Sequence, residues 1–261
     1  MFTSNPFAAL SPSIPPAFMQ AYVVVMVVLV AAGTLYDIVH KGSARYFFDH
    51  WRKSRSQASR RLGGGELMSI ALQTGLVDVL ASGEFCNARR RVAHLLTMYG
   101  FMIYVVSTVV MVFGYPTSAT PTPALLPGLW WTGGFMICLG GYWFWFFMRV
   151  DVAAEGNWPA RVMPADLFVL SLLGSVTLGL IWAFLQSGGS PWASVFFGLY
   201  LFATTVLFGS VPWSKFAHMF FKPAAAFEKR VSSANGYRSD LPAPAERPEL
   251  LGSAREPPRH Y

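Results

Sequence analysis

Charged side chains are scarce in this chain. Asp, Glu, Lys and Arg make up 13% of its 261 residues, whereas a typical soluble domain carries about 25%. Hydrophobic residues make up 54% of the chain. This balance excludes an ordinary soluble domain and predicts an all-α membrane protein that crosses the bilayer several times.

Lys and Arg are absent from three stretches, 1–16, 114–127 and 186–191. The loop 40–91 instead contains ten basic residues. Because basic residues accumulate in the cytoplasmic loops of membrane proteins, this asymmetry predicts that the N-terminus is outside and the C-terminus inside. The net charge of +7 is spread between apolar runs, so no nucleic-acid partner is expected.

A membrane-spanning helix needs about 20 apolar residues. Residues 1–16 are predicted to be a periplasmic segment, and 223–261, rich in Pro and Ser, a disordered cytoplasmic tail. The domain between them, 17–222, is predicted to contain five spans in a bacterial cytoplasmic membrane, with the basic loop 40–91 after the first. The predicted spans are about 17–39, 92–113, 128–148, 164–185 and 192–221.

Local signals refine these spans. Pro164 is a favourable first-turn residue for the fourth span, and Pro212 predicts a kink in the fifth. The segment 65–84, interrupted by Gly75, predicts a helix on the membrane interface. Three tryptophans fall at the outer span ends and are expected in the headgroup layer: Trp130, Trp131 and Trp192.

Cysteine is nearly absent. Cys86 lies in a basic loop and Cys138 within an apolar run, so we expect no disulfide. Neither belongs to a cluster with iron–sulfur spacing. No carboxylate or lysine lies deep in a span, which argues against an ion-coupled transporter.

Two histidines are the strongest candidates for chemistry. His94 lies three residues after Arg91, and His218 lies between Lys215 and Lys222. Both are predicted near the cytoplasmic ends of their spans, at similar depth. Two imidazoles from different helices at one depth can ligate the iron of a b-type haem.

Haem propionates require nearby cations, and several basic residues have the right predicted depth. The helix face that carries His94 continues through Met98, Phe101 and Val105. These residues would form an apolar wall suited to a macrocycle. Gly100 would allow a helix or a ring edge to approach closely. The propionate candidates are Arg90, Arg91, Arg149 and Lys215.

Other interpretations of the histidines stay open. Either His94 or His218 can be an interfacial residue with its ring among the headgroups. His40, one turn after Asp37, competes as a ligand. His50 and His260 lie in polar segments and are expected to be solvated.

Two stretches resemble the membrane cytochrome b subunits of the nitrate reductase gamma, heterodisulfide reductase and Qmo type. Residues 86–101 (CNARRRVAHLLTMYGF) resemble the entry to that family's second span, and residues 213–223 (WSKFAHMFFKP) resemble the exit from its last. The resemblance is greatest to the membrane anchor of adenylylsulfate reductase. It implies a five-helix subunit that passes electrons between membrane quinone and cytoplasmic flavin or iron–sulfur subunits.

By this resemblance His94 and His218 correspond to the ligands of the haem nearer the cytoplasm. The family's second pair falls near Tyr104 and Tyr200, which are not histidines, so one haem b at most is expected. The alternative function is a structural membrane anchor for a cytoplasmic enzyme, without haem. Residues 142–145 (YWFW) are candidates for a quinone cleft, with plain packing as the other interpretation.

Overall fold

The computed structural model describes residues 2–40, 42–83, 85, 87–213 and 218–237. The regular structure in this part of the chain is entirely helical, which confirms the predicted all-α class. The helices are α1 (Pro16–His40), α2 (Ser43–Ser56), α3 (Gly64–Gln73), α4 (Ala88–Gly114), α5 (Leu125–Trp143), α6 (Val150–Ala153), α7 (Leu167–Ser187), α8 (Ala193–Gly209) and α9 (His218–Ala234).

Short segments of other helix types extend these elements. π-helical residues Thr74–Leu80 follow α3, and π-helical residues Phe144–Met148 follow α5. A 3-10 turn, Pro164–Asp166, leads into α7 and confirms that Pro164 starts this element. The chain divides into two compact units, residues 1–43 with 87–221 and residues 44–86 with 222–261.

Three of the described helices, α1, α4 and α7, are long and apolar enough to cross a membrane. Helix α8 is apolar but has only 17 residues. The boundaries of α1 differ from the predicted first span by one residue at each end, because an uninterrupted apolar run defines both. The membrane character is therefore supported, whereas five spans and their orientation stay predictions.

The predicted fifth span, 192–221, is not one continuous helix. Helix α8 ends at Gly209, and the Trp213 amide donates to the Ser210 carbonyl at 3.0 Å in a tight turn that includes Pro212. Proline lacks an amide donor and its ring clashes with the preceding helical turn. Pro212 therefore lies in the turn that follows the helix, not at a kink within it.

In the first unit, glycines bring α4 and α5 into backbone contact. A Cβ on Gly133 would lie 2.8 Å from the Gly100 carbonyl oxygen, and a Cβ on Gly140 would lie 2.6 Å from that of Ala93. No residue with a side chain fits at these separations. The close approach predicted at Gly100 is confirmed, and its partner is α5.

The opposite side of α5 packs on α7 through a second pair of glycines. A Cβ on Gly134 would lie 2.7 Å from a methyl of Leu180, and one on Gly141 would lie 2.6 Å from a methyl of Leu173. The two glycines of each pair are seven residues apart, or about two helical turns. Helix α5 is therefore held between α4 and α7.

The predicted periplasmic segment is folded against one end of this unit. The Asn5 side-chain amide donates to the Tyr115 carbonyl at 3.0 Å and the Thr122 hydroxyl at 3.1 Å. The Gln186 amide donates to the Pro6 carbonyl at 2.9 Å. The three stretches without Lys or Arg therefore meet at the same end of the helices.

Two of the tryptophans expected among headgroups are instead buried between helices. Trp130 is 0% and Trp131 is 5% exposed, whereas Trp192 is 63% exposed. The Trp130 indole donates to the Thr108 hydroxyl at 3.0 Å and packs edge-on against Phe7. Their position near a span end did not reveal these packing partners.

In the second unit, α2 pairs with α9. The rings of Trp51 and Phe227 stack 5.8 Å apart, and the buried Asn235 amide donates to the Ser54 carbonyl and hydroxyl at 3.1 and 3.0 Å. The prediction of disorder from residue 223 was wrong for 223–234, which are helical. Residues 238–261 lie outside the described part of the chain.

An ion pair joins α9 to the π-helical turn after α3. The Arg230 guanidinium donates to both carboxylate oxygens of Asp78, at 2.5 and 2.8 Å. These charge-assisted bonds hold the pKa of Asp78 below its ordinary value and raise the pKa of Arg230. Residues 64–80 are thus helical as predicted for 65–84, and their placement on a membrane interface stays a prediction.

Candidate functional site

An apolar cavity of about 660 Å³ lies in the first unit, bordered by α1, α4, α7 and α8. Its described lining residues include no Asp, Glu, Lys, Arg or His. The volume falls within the usual range for small-molecule and cofactor sites. None of the lining comes from α5, so the aromatic residues 142–145, proposed as a quinone cleft, do not form this one.

The cavity begins on the same face of α4 that carries His94. Phe101 and Val105, seven and eleven residues after His94, both line it. At 1.5 Å per residue, Phe101 lies about 10 Å along the helix from His94. His94 itself is half-buried. Helix α4 starts at Ala88, where the Asn87 side chain caps it by accepting from the Arg89 amide at 2.9 Å.

The second predicted ligand, His218, is the first residue of α9. Its side chain lies outside the described part of the structure, so the distance between the two imidazoles stays a prediction. The next residue, Met219, lines the cavity. Both histidines therefore belong to helices that border the same apolar space.

Hydroxyl groups are the polar feature of the cavity wall. Tyr22 is satisfied within the protein, since its hydroxyl bonds to the Leu201 carbonyl at 2.9 Å and the Thr205 hydroxyl at 3.0 Å. The Thr34 hydroxyl is buried and has no hydrogen-bond partner among the described residues. The Tyr104 hydroxyl is also buried and lies beside the Tyr200 side chain.

Tyr104 and Tyr200 are neighbours at the centre of the bundle. Tyr104 stacks on Trp130 with ring centroids 4.8 Å apart, and Tyr200 stacks on Trp182 at 5.6 Å. Both tyrosines pack against Gly179 of α7, where a Cβ would lie 2.7 Å from the Tyr104 hydroxyl and 3.0 Å from the Tyr200 ring. Sequence reasoning identified these positions only as the places of a missing histidine pair.

Arg149, predicted beside a haem propionate, is engaged within the protein. Its guanidinium donates to Asp166 at 2.5 Å and to the carbonyls of Pro159 and Arg161 at 3.1 and 2.7 Å. It also lies 4.0 Å from the centre of the Trp145 ring. Only 5% of the residue is exposed, so Arg149 fixes the segment between α6 and α7.

The other predicted propionate cations differ in their surroundings. Arg90 donates to the Met148 carbonyl at 3.0 Å, which ties the start of α4 to the end of the π-helical turn after α5. Arg91 is half-buried on the first turn of α4. Lys215 lies outside the described residues.

Of the three remaining histidines, two lie in the described part of the chain. His40 is exposed at the end of α1 and stacks on Tyr36 with centroids 5.2 Å apart. His50 is not simply solvated: it is half-buried, and its Nδ1 lies 2.7 Å from a Glu228 carboxylate oxygen. Within the second unit this contact joins α2 to α9. His260 lies outside the described residues.

The cysteines show no cofactor site in the described part of the chain. Cys138 is half-buried with its sulfur 3.7 Å from the Thr177 hydroxyl. Cys86 lies outside the described residues. The described His, Cys, Asp and Glu side chains form no group of three that could hold a metal ion, a finding that does not bear on a haem held by two histidines.

One curated protein resembles this chain. Citrate utilization protein B from Escherichia coli is 29% identical over 173 residues, which cover 61% of this chain and 43% of that protein. The match thus spans less than half the length of the relative. No family model matches the chain, and no solved structure matches it.

Proposed function

We propose that this protein is a membrane-bound electron-transfer subunit of a bacterial respiratory oxidoreductase complex. In this role it anchors the complex in the cytoplasmic membrane and passes electrons between membrane quinone and a cytoplasmic flavin or iron–sulfur enzyme. The observation that carries the proposal is the 660 Å³ apolar cavity, which borders both helices that hold the predicted haem ligands.

The described residues around His94 fit a b-type haem. His94 is half-buried, and Phe101 and Val105 continue its face as an apolar wall beside open space. His94 and His218 would hold the iron, and a bound haem supplies one-electron transfer. Of the proposed propionate partners, Arg149 is the least suitable, because its guanidinium already donates to three groups within the protein.

The surface of α2 supports the proposed soluble partner. Four of its basic residues are exposed, and such a surface can dock an acidic protein or anionic lipid. In the proposed five-span topology α2 lies in the cytoplasm, where a cytoplasmic enzyme could reach this surface. These exposed residues are Arg45, Arg52, Lys53 and Arg55.

The identity of the soluble partner has two candidates. The resemblance of residues 86–101 and 213–223 favours a sulfur-metabolising enzyme such as adenylylsulfate reductase. The similarity to citrate utilization protein B favours an enzyme that acts in citrate utilisation. Transport of citrate through the cavity is a poor alternative, because its described lining has no charge to stabilise a tricarboxylate.

The decisive experiment is an absorption spectrum of the purified full-length protein. We expect reducible b-type haem bands that are lost in His94→Ala and in His218→Ala. His40→Ala is the matched control, because His40 also ends a predicted span but is exposed, and it should retain the haem. A well-folded wild-type preparation without haem would refute the electron-transfer proposal.

The structural anchor makes the opposite prediction for the same variants. If the protein only recruits an enzyme, His94→Ala and His218→Ala should leave both partner binding and quinone-dependent electron flow unchanged. Co-purification from membranes, followed by identification of the bound soluble subunits, separates the sulfur and citrate candidates.

A further inference from the structure

Exposed apolar side chains form a row along one face of the helical segment 64–80. Helix α3 continues directly into the π-helical residues Thr74–Leu80, and side chains four residues apart along a helix lie on the same face. We call this row the α3 stripe; its members, each between 43% and 63% exposed, are Met68, Leu72, Leu76 and Leu80. A contiguous exposed apolar patch of this kind marks a surface that meets a membrane or another molecule.

The opposite face of the same segment is occupied within the protein. Thr74 is buried, and the Asp78 carboxylate accepts from the Arg230 guanidinium of α9. Asp78 lies two residues from both Leu76 and Leu80, which is about half a helical turn. The ion pair therefore fixes the rotation of the segment, with Asp78 toward α9 and the α3 stripe away from it.

We propose that the α3 stripe binds the surface of the lipid bilayer, with its side chains among the outer parts of the acyl chains and the helix lying along the membrane. An amphipathic helix binds this boundary through its apolar face, because its side chains leave water there. Through the Asp78–Arg230 ion pair, the bound stripe also holds α9 at the membrane surface. This role is independent of electron transfer.

The position of the stripe in the chain favours lipid over a soluble protein as the partner. Leu80 is eight residues before Ala88, the first residue of α4, and eight residues span at most about 29 Å. Helix α4 is long and apolar enough to cross a membrane, and so is α1, which ends at His40. The segment that carries the stripe is thus tethered at both ends to such helices, which keep it close to the membrane surface.

Basic side chains flank the stripe on both sides in the sequence. Arg61 is exposed before α3, and Arg89 is exposed in the first turn of α4. Long cationic side chains reach the phosphate layer while apolar neighbours lie deeper, and anionic lipids attract them. The apolar stripe and these two arginines together match the chemistry of an anionic bilayer surface.

Spin labels can measure the environment of the stripe in the full-length protein, reconstituted into vesicles of phosphatidylcholine and phosphatidylglycerol. Single labels are placed by Leu72→Cys and by Leu76→Cys after Cys86→Ser and Cys138→Ala. The matched control is Gln73→Cys, because Gln73 is exposed on the same helix but lies outside the stripe. Labels at 72 and 76 should collide more often with oxygen, which dissolves in lipid, than with a water-soluble nickel chelate, and the label at 73 should show the reverse preference.

Either of two other results would overturn the proposal. Labels at 72 and 76 that prefer the nickel chelate, as the control does, would place the stripe in water. Labels that neither reagent reaches would show that a protein, such as a second copy of this chain, covers it.

Hydrogen exchange provides a second test that leaves both natural cysteines in place. Leu72→Gln combined with Leu76→Gln should speed amide exchange of residues 64–80 in the same vesicles, because the weakened stripe leaves the surface more often. Ser69→Gln combined with Ala71→Gln changes two exposed positions outside the stripe and should have a smaller effect. Equal exchange in the two double variants would contradict membrane binding through the stripe.

Discussion

Gly100 of α4 and Gly133 of α5 are reciprocal contacts. A Cβ built on either residue would lie 2.8 Å from the carbonyl oxygen of the other. The contact lies between the turn of α4 that carries His94 and the turn that carries Tyr104, so it fixes the α4 backbone beside the cavity. Backbone atoms cannot move aside as the end of a flexible side chain can.

Gly133→Ala should therefore destabilise the protein. The new methyl group would meet the Gly100 carbonyl and the Tyr104 amide, both at 2.8 Å, and overpacking of this kind costs about 1–3 kcal/mol or more. Gly128→Ala, on the same helix with open space around it, should be neutral or slightly stabilising. Thermal unfolding in detergent measures both, and equal midpoints would contradict the close helix contact.

Gly179→Ala should disturb the tyrosine pair. Its methyl group would lie 2.7 Å from the Tyr104 hydroxyl and 3.0 Å from the Tyr200 ring, so one ring must shift at a cost of about 1–3 kcal/mol. Gly174→Ala is the control on α7, since the nearest atom there is 3.9 Å away. We expect a lower unfolding midpoint and altered near-ultraviolet circular dichroism only for Gly179→Ala.

Arg149→Lys should destabilise the segment between α6 and α7. An ammonium group cannot reproduce the fork that contacts Asp166, Pro159 and Arg161 together. Breaking one partner of a buried pair costs about 3–5 kcal/mol, and Lys should lose part of that amount. Limited proteolysis of this segment should become faster, while the haem spectrum should not change; a spectral change with unaltered proteolysis would instead assign Arg149 to the haem.

The Asp78–Arg230 pair should make the second unit sensitive to acid. Because the folded state lowers the pKa of Asp78 from its ordinary 3.8, its stabilising contribution is complete above that pH and is lost as the pH falls through the lowered value. Asp78→Asn should melt below the wild type at pH 7, and the difference should shrink as the pH falls below 3.8. A constant difference over this range would show that the carboxylate charge is not the cause.

Sequence patterns were informative where one physical effect dominates. The first, second and fourth predicted spans correspond to α1, α4 and α7, because long apolar runs without breakers have few other solutions. The fifth was predicted as one helix kinked at Pro212, but the apolar composition continues there across a turn. Composition averaged over the tail likewise concealed the helical residues 223–234, whose run of three alanines favours a helix.

The candidate site was harder to predict, because it depends on packing between helices distant in sequence. His94 stands out in an apolar run, and so do the arginines before it. By contrast, nothing local shows that Tyr104 packs against Gly179 and Tyr200, whereas the Tyr22 hydroxyl is bonded to α8. Likewise, no short-range signal shows that Arg149 is bonded to Asp166.

The pairing of Ser54 with Asn235 has a consequence for biosynthesis. These residues are 181 positions apart, so α2 leaves the ribosome long before its partner helix exists. Until α9 has been synthesised, Trp51 and Ser54 of α2 lack the partners that they contact in the folded unit. Folding of this unit must therefore wait for α9.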